Sequence, residues 1–256
     1  MFKKYLMFLL PALLAACGGG GNNMLPPSQS PAPIPKPTPI QPNAKYVALG
    51  DSITYGLYAT SVQTQAYPVI VAENLQAKLT NLGIPGEYSE GILSDEILKI
   101  PLGTQVITLF IGTNDEMEVA SGTNSSSTVE QTFSSNMLQI ASVLRENFPT
   151  ASIYVANLPN MANMPAWKNA DATTRATLSA LNSALNSTID QMGFPIVDLR
   201  CAPGAYDPSN YYNNGIGPLG DVHPNTQGHA YYASIFYATM TGSLWESHSC
   251  PYFTPQ

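Results

Sequence analysis

Ala48-Leu49-Gly50-Asp51-Ser52-Ile53-Thr54-Tyr55-Gly56 is the stretch that decides the fold. Just before and into it, Tyr46-Val47-Ala48-Leu49 is an apolar run with the length of a short buried strand. The run stops at Gly50, and Ser52 follows at the strand's C-terminal end. In open α/β sheets that edge is where ligands bind, so a serine there is aimed at the crevice. A helix starting just after it would place partial positive charge near the serine oxygen, which suits a nucleophile. Ser and Asp are also ordinary helix N-caps, and the stretch alone supports that reading as well. Two later stretches separate the two.

Working outward, Tyr67-Pro68 opens a helix with proline in its first turn, and Val71, Leu75 and Leu79 give its apolar face. A strand is expected over 80–84, ahead of Pro85-Gly86, and a helix over 89–99. Gln105-Val106-Ile107-Thr108-Leu109-Phe110-Ile111 is almost continuously apolar, as a central parallel strand covered on both faces should be. Phe133, Met137, Ile140, Leu144 and Phe148 recur at helical spacing. Ile153-Tyr154-Val155-Ala156 reads as another strand. Leu178, Leu181, Leu185 and Ile189 mark a helix closed by Gly193. Residues 195–199 form the last strand, and a final helix spans 226–240. Strands alternating with helices point to an α/β fold with a central parallel sheet.

Composition bounds the rest. Hydrophobic residues make up 44% of the 256, enough for a real core, and charged residues only 11%, against about 25% in average soluble proteins. That deficit suits a secreted or envelope protein. The net charge is −7 and no basic stripe exists, which argues against nucleic acid as a partner. Residues 1–16 read as a secretory signal: Lys3 and Lys4 precede an apolar segment too short to span a bilayer. Leu14-Ala15-Ala16-Cys17 resembles a bacterial lipobox, which implies cleavage before Cys17 and a lipid on its sulfur. Gly18 in the next position, rather than Asp, resembles the outer-membrane default. The expected location is the cell envelope, lipid-anchored at the outer membrane. Residues 17–44 then form a tether, glycine-rich and afterwards proline-rich, extended at ~3.1 Å per residue and unable to build a core. Residues 45–256 fit one domain. The two cysteines beyond Cys17, Cys201 and Cys250, could pair in an oxidising compartment.

Three strand ends carry polar residues. Ser52 follows the first, Gly112-Thr113-Asn114-Asp115 follows the central one, and Asp221-Val222-His223-Pro224-Asn225 precedes the last helix. Together with Asn81-Leu82-Gly83-Ile84-Pro85-Gly86, these blocks resemble the four of the SGNH, or GDSL, hydrolase family, in the family's order. The resemblance implies a flavodoxin-like three-layer αβα sandwich. It also implies acyl transfer without a cofactor or metal. Ser52 would be the nucleophile and His223 its base. The backbone N–H groups of Ser52 and Gly86 and the amide of Asn114 would form the oxyanion hole. Gly91 is the alternative to Gly86 if that block is aligned differently. The chemistry needs such a set, because a serine hydroxyl is a weak nucleophile until a base takes its proton.

One position departs from the family pattern. The usual Asp lies three residues before the His, and here that position is Gly220, with Asp221 only two before. A residue preceding proline is pushed to extended geometry, where residues two apart face the same side, so Asp221 could still reach the His223 ring. Otherwise a backbone carbonyl near Leu219 or Gly220 would orient the ring. His229, inside the last helix, reads as structural. No metal-ligand spacing appears. Met161, Met164, Trp167, Tyr206, Tyr211 and Tyr212 could wall an acyl site or pack as ordinary loops. The leading expectation is an envelope ester hydrolase acting on a short-chain ester, an acetylated glycan or a lysophospholipid. The alternatives are a binding lipoprotein that keeps the fold without turnover, and an O-acyltransferase. The sequence does not set the oligomeric state.

Overall fold

The computed structural model describes residues 39–167, 169–212 and 222–243. The expected signal and most of the tether fall outside these, as do Cys17, Asp221 and Cys250. In chain order, strand β1 (Lys45–Gly50) is followed by α1 (Ser52–Tyr55), α2 (Val62–Gln65), α3 (Tyr67–Leu75) and β2 (Lys78–Asn81). Helix α4 (Ser89–Gly91) leads through a π turn (Ile92–Glu96) and a 3₁₀ turn (Ile97–Lys99) to β3 (Val106–Phe110). Then come α5 (Thr113–Ala120), α6 (Ser126–Asn147), β4 (Ser152–Ala156), α7 (Ala172–Gln191), β5 (Ile196–Val197) and α8 (Thr226–Thr241), with short 3₁₀ turns in the connections.

Among the described residues, five strands form one parallel sheet in the order β2-β1-β3-β4-β5. This is the flavodoxin-like order, with helices on both faces, as the expected αβα sandwich requires. Every residue of β3 is buried, as are the last five of β1, which is why both read as unbroken apolar runs. Helices α3 and α8 pack together, and α6 packs against α7 and α5. Phe133, Met137, Ile140 and Leu144 form the buried stripe of α6. Truncating a fully buried Phe133 to alanine should cost about 3–5 kcal/mol.

The chain leaves β1 for β2 on one side and returns to β3 on the other. The two carboxyl ends at this switch point are in register, with Gly50 opposite Phe110. A crevice opens where strand order reverses in this way. Gly50 takes φ +150°, and a Cβ there would lie 2.1 Å from the Phe110 carbonyl oxygen. Only glycine allows the nucleophile strand to approach β3 so closely.

Some elements depart from the sequence reading. β2 lies at Lys78–Asn81, not 80–84, and Leu79 belongs to it rather than to the helix before. Helix α3 ends at Leu75 because Gln76 turns left-handed, at φ 55°, with its N–H capping the carbonyls of Ala72 and Glu73. The four-residue spacing of Val71, Leu75 and Leu79 continues across this break only because Leu79 also packs against the main core, as a strand residue. β5 is shorter than 195–199. Helix α5 was not legible from apolar periodicity; Asp115 and Glu116 are the residues it buries. Cys201 is disulfide-bonded.

Candidate active site

Ser52 is the first residue of the one-turn helix α1, and Asp51, not Ser52, is its cap. The Asp51 carboxylate accepts the Ile53 N–H at 2.8 Å. The first N–H groups of a helix have no intrahelical acceptor, so the Ser52 N–H is left for another partner. The turn is held from three sides. Asn81 donates to the Thr54 carbonyl at 2.8 Å, and its Oδ1 accepts the Gly83 N–H at 3.0 Å. Thr54 and Tyr67 hydroxyls meet at 2.9 Å. The Gly50 N–H donates to Glu96 Oε2 at 2.9 Å.

The histidine arrives from the other end of the chain. Ser52 Oγ and His223 Nε2 lie 2.8 Å apart across 171 residues. Local bonds explain how the His-Pro-Asn block presents the ring. Asn225 caps α8 by accepting the Gly228 N–H, and its amide donates to the carbonyls of Ser209 and Tyr211. Tyr211 and Pro224 form an antiparallel bridge, and Tyr212 N–H donates to the His223 carbonyl at 3.0 Å. Asp221, Gly220 and Leu219, expected at the other ring nitrogen, lie outside the described residues.

Gly86 sits in a turn after β2, beside the start of α5. Asn114, in the first turn of α5, donates from Nδ2 to the Glu87 carbonyl at 2.7 Å, which ties that turn to the helix. An amide nitrogen carries two hydrogens, so one remains for a further acceptor. Gly86 takes φ +83°, a conformation suited to glycine, and the space above its Cα is open to 4 Å. Its N–H donates to no group among the described residues. Gly91, by contrast, is buried in α4 and donates its N–H to the Tyr88 carbonyl at 3.0 Å. Asp115 accepts the N–H and hydroxyl of Ser89 at 3.1 and 2.7 Å, and Asn136 donates to that hydroxyl.

Buried carboxyls underlie the crevice. Desolvation raises the pKa of Asp51 to about 7, that of Glu96 to about 9 and that of Glu116 to about 8. Hydrogen bonds to Asp51, Glu96 and Glu116 oppose this only in part. The sequence marks Asp51 only as part of the opening stretch and gives no sign of Glu96, Glu116 or Ser89. Carboxyls flanking the blocks signalled nothing until their burial was known. His229 is also buried. Its Nδ1 accepts the Tyr67 N–H at 3.4 Å, its Nε2 donates to the Leu57 carbonyl at 3.2 Å, and burial lowers its pKa to about 4. It is neutral and structural.

Met161, Met164 and Tyr211 belong to a second apolar cluster with Leu178 and Val222, and Trp167 and Tyr206 pack against it. Tyr212 instead stacks on Tyr58. Beside the start of α5 lies a cavity of about 240 Å³ bounded by Tyr88, Ser89, Asp115, Glu118, Val129 and Asn136, among others. Among the described residues, no group of three or more His, Cys, Asp or Glu could hold a metal ion.

A doubly wound parallel sheet with a serine–histidine pair at its switch point defines a hydrolase architecture. The chain belongs to the GDSL-like lipase/acylhydrolase family, whose model matches residues 48–231. Its fold is similar to that of an extracellular lipase from Streptomyces rimosus, at 17% identity and TM-score 0.63, over 77% of this chain and 99% of that one. It is also similar to phospholipase A1 from Streptomyces albidoflavus, at 19% identity and TM-score 0.60, over 77% and 99%. An acetyl xylan esterase from Geobacillus stearothermophilus matches at 18% identity and TM-score 0.58, over 82% and 100%. No curated protein matches the chain by sequence.

Proposed function

We propose that the protein is a carboxylic ester hydrolase working through an acyl-Ser52 intermediate. The observation that carries this reading is the 2.8 Å contact between Ser52 Oγ and His223 Nε2. It is within the reach required of a nucleophile and its base. Ser52 Oγ attacks the ester carbonyl carbon while His223 Nε2 takes its proton. The carbonyl oxygen becomes an oxyanion, met by the N–H groups of Ser52 and Gly86 and by the second hydrogen on Asn114 Nδ2. Collapse breaks the ester C–O bond, and His223 returns the proton to the departing alcohol. Water, deprotonated by the same nitrogen, then attacks the acyl-serine and releases the acid. Asp221 orients the ring in this scheme; a backbone carbonyl near Leu219 or Gly220 would serve in its absence.

The substrate we propose is a short-chain ester, with an acetylated glycan or a lysophospholipid as the alternatives. The lipobox at Cys17 supports an envelope location on a lipid anchor. The test is turnover of p-nitrophenyl acetate, butyrate and decanoate by the purified protein and by Ser52→Ala. Activity falling with chain length, and absent in Ser52→Ala, is expected. Equal turnover by both proteins would sink the nucleophile assignment.

A further inference from the structure

We propose that Tyr58 is a positioning residue for His223, holding the plane of the imidazole through its ring. The inference rests on the serine–histidine reading above. Tyr58 lies six positions after Ser52 and takes φ 67°, the left-handed region that a bulky side chain rarely adopts. Such conformations persist where the surroundings enforce them, and they gather at functional sites.

The surroundings here are specific. The Tyr58 ring stacks on Tyr212, with centroids 4.0 Å apart and planes 7° from parallel. The same ring meets His223 edge-to-face, at 5.3 Å and 85°. Tyr212 is itself bonded to the histidine backbone, its N–H donating to the His223 carbonyl at 3.0 Å. Tyr58 therefore lies against both the imidazole and Tyr212, the residue bonded to the histidine's backbone. A hydrogen bond from Ser52 to Nε2 fixes one point of the ring; a perpendicular aromatic neighbour restricts rotation about that point.

The loop that carries Tyr58 is stitched to both partners. Its start is anchored on the nucleophile, because the Ser52 carbonyl accepts the N–H groups of Gly56 and Leu57 at 3.1 and 2.9 Å. On the histidine side, His229 Nε2 donates to the Leu57 carbonyl at 3.2 Å. Thr60 N–H donates to Thr226 Oγ1 at 2.8 Å, and the two threonine hydroxyls meet at 2.9 Å. Residues 57–60 thus bridge the nucleophile turn and the start of α8, and Tyr58 projects from the middle of that bridge onto the catalytic ring. The chain keeps an unfavourable backbone conformation at the one place in this bridge where a ring reaches His223.

The experiment separates ring from backbone. Tyr58→Gly accepts φ 67° without strain and removes the ring. Tyr58→Phe keeps the ring and removes the hydroxyl. With p-nitrophenyl acetate, Tyr58→Gly should lower kcat about 10- to 100-fold with KM within about threefold, as misplacement of a catalytic group does. Thermal unfolding should show Tyr58→Gly at least as stable as Tyr58→Ala. Tyr58→Phe should recover at least half of the wild-type kcat. Adding Tyr58→Gly to His223→Ala should cost nothing further, because the tyrosine acts through the histidine. The proposal is overturned if Tyr58→Gly keeps kcat within twofold, if Tyr58→Phe falls as far as Tyr58→Gly, or if Tyr58→Gly lowers the residual rate of His223→Ala by its full factor. Ser52→Ala is run alongside. An active Ser52→Ala brings down the serine–histidine reading and this proposal with it; an inactive Ser52→Ala beside a fully active Tyr58→Gly brings down this proposal alone.

Discussion

Glu96→Gln should stabilise the protein at neutral pH and leave it unchanged in acid. The Glu96 side chain is fully buried beneath the nucleophile turn. Oε2 accepts the Gly50 N–H at 2.9 Å, and Oε1 meets no hydrogen-bond partner among the described residues. Burial, with the carboxylates of Glu87, Asp51 and Asp95 nearby, raises its pKa from 4.5 to about 9. At pH 7 the folded protein therefore carries a neutral Glu96, while the unfolded chain carries an ionised one. Folding must take up a proton. With the folded pKa above the unfolded one, the carboxyl's contribution is complete below pH 4.5 and is lost as pH rises toward about 9. Each unit costs about 1.36 kcal/mol, so the interval from 4.5 to 7 costs about 3 kcal/mol.

Glutamine keeps the shape and an acceptor for the Gly50 N–H, and it cannot ionise. Its NH₂ takes the place of the protonated carboxyl's Oε1–H, which meets no partner among the described residues either, so the exchange is near neutral where both side chains are uncharged. The net expectation is about 2–3 kcal/mol at pH 7, a rise in Tm of roughly 4–12 °C for a domain of this size. Denaturant unfolding followed by circular dichroism at pH 4, 5, 6, 7 and 8 measures it. The difference between the two proteins should be near zero at pH 4 and widen with pH. A variant less stable than wild type at pH 7, with the gap closing in acid, would mean an ionised, stabilising carboxylate and would refute the reasoning.

Three further outcomes follow from the site and the N-terminus. Asn114→Ala removes one proposed oxyanion donor and should lower kcat by about 10²–10³ with little change in KM; a loss under threefold would remove Asn114 from the oxyanion hole. Asp221→Asn should lower kcat by at least ~10² at pH 7 to 8 with the fold intact by circular dichroism, and a loss below about threefold would assign the orienting role to a backbone carbonyl. Labelled fatty acid should enter the wild-type protein in an envelope-competent bacterial host and not Cys17→Ala; incorporation into both would exclude Cys17 as the lipid site.

Legibility in the sequence followed the range of the interactions. β1 and β3 were readable because burial on both faces writes an apolar run into consecutive residues. α6 and α7 were readable because each buries one stripe at helical spacing. Helix α5 was not, since its buried residues are Asp115 and Glu116, which a hydropathy pattern places outside. The boundary between α3 and β2 was misplaced because a left-handed Gln76 ended the helix without glycine or proline to announce it. Among the site residues, the blocks around Ser52, Gly86, Asn114 and His223 were visible as residue types at strand ends. Glu96 and Tyr58 were not, because a glutamate in a helical run and a tyrosine in a loop have no local mark of burial or strain.

By itself, then, the sequence determined the alternation of strands and helices, the two central strands, and which polar side chains stand at strand ends. These are properties of neighbouring residues and of the two periodicities of backbone geometry. Tertiary structure decided the strand order β2-β1-β3-β4-β5, which brings the ends of β1 and β3 together at a switch point. It decided the 2.8 Å meeting of Ser52 and His223 across 171 residues. It also decided the neutral carboxyl of Glu96 under the nucleophile turn and the left-handed Tyr58 against the histidine ring. Distances, burial and electrostatic environment depend on what the fold packs around a residue, and no residue's immediate neighbours in the chain encode them.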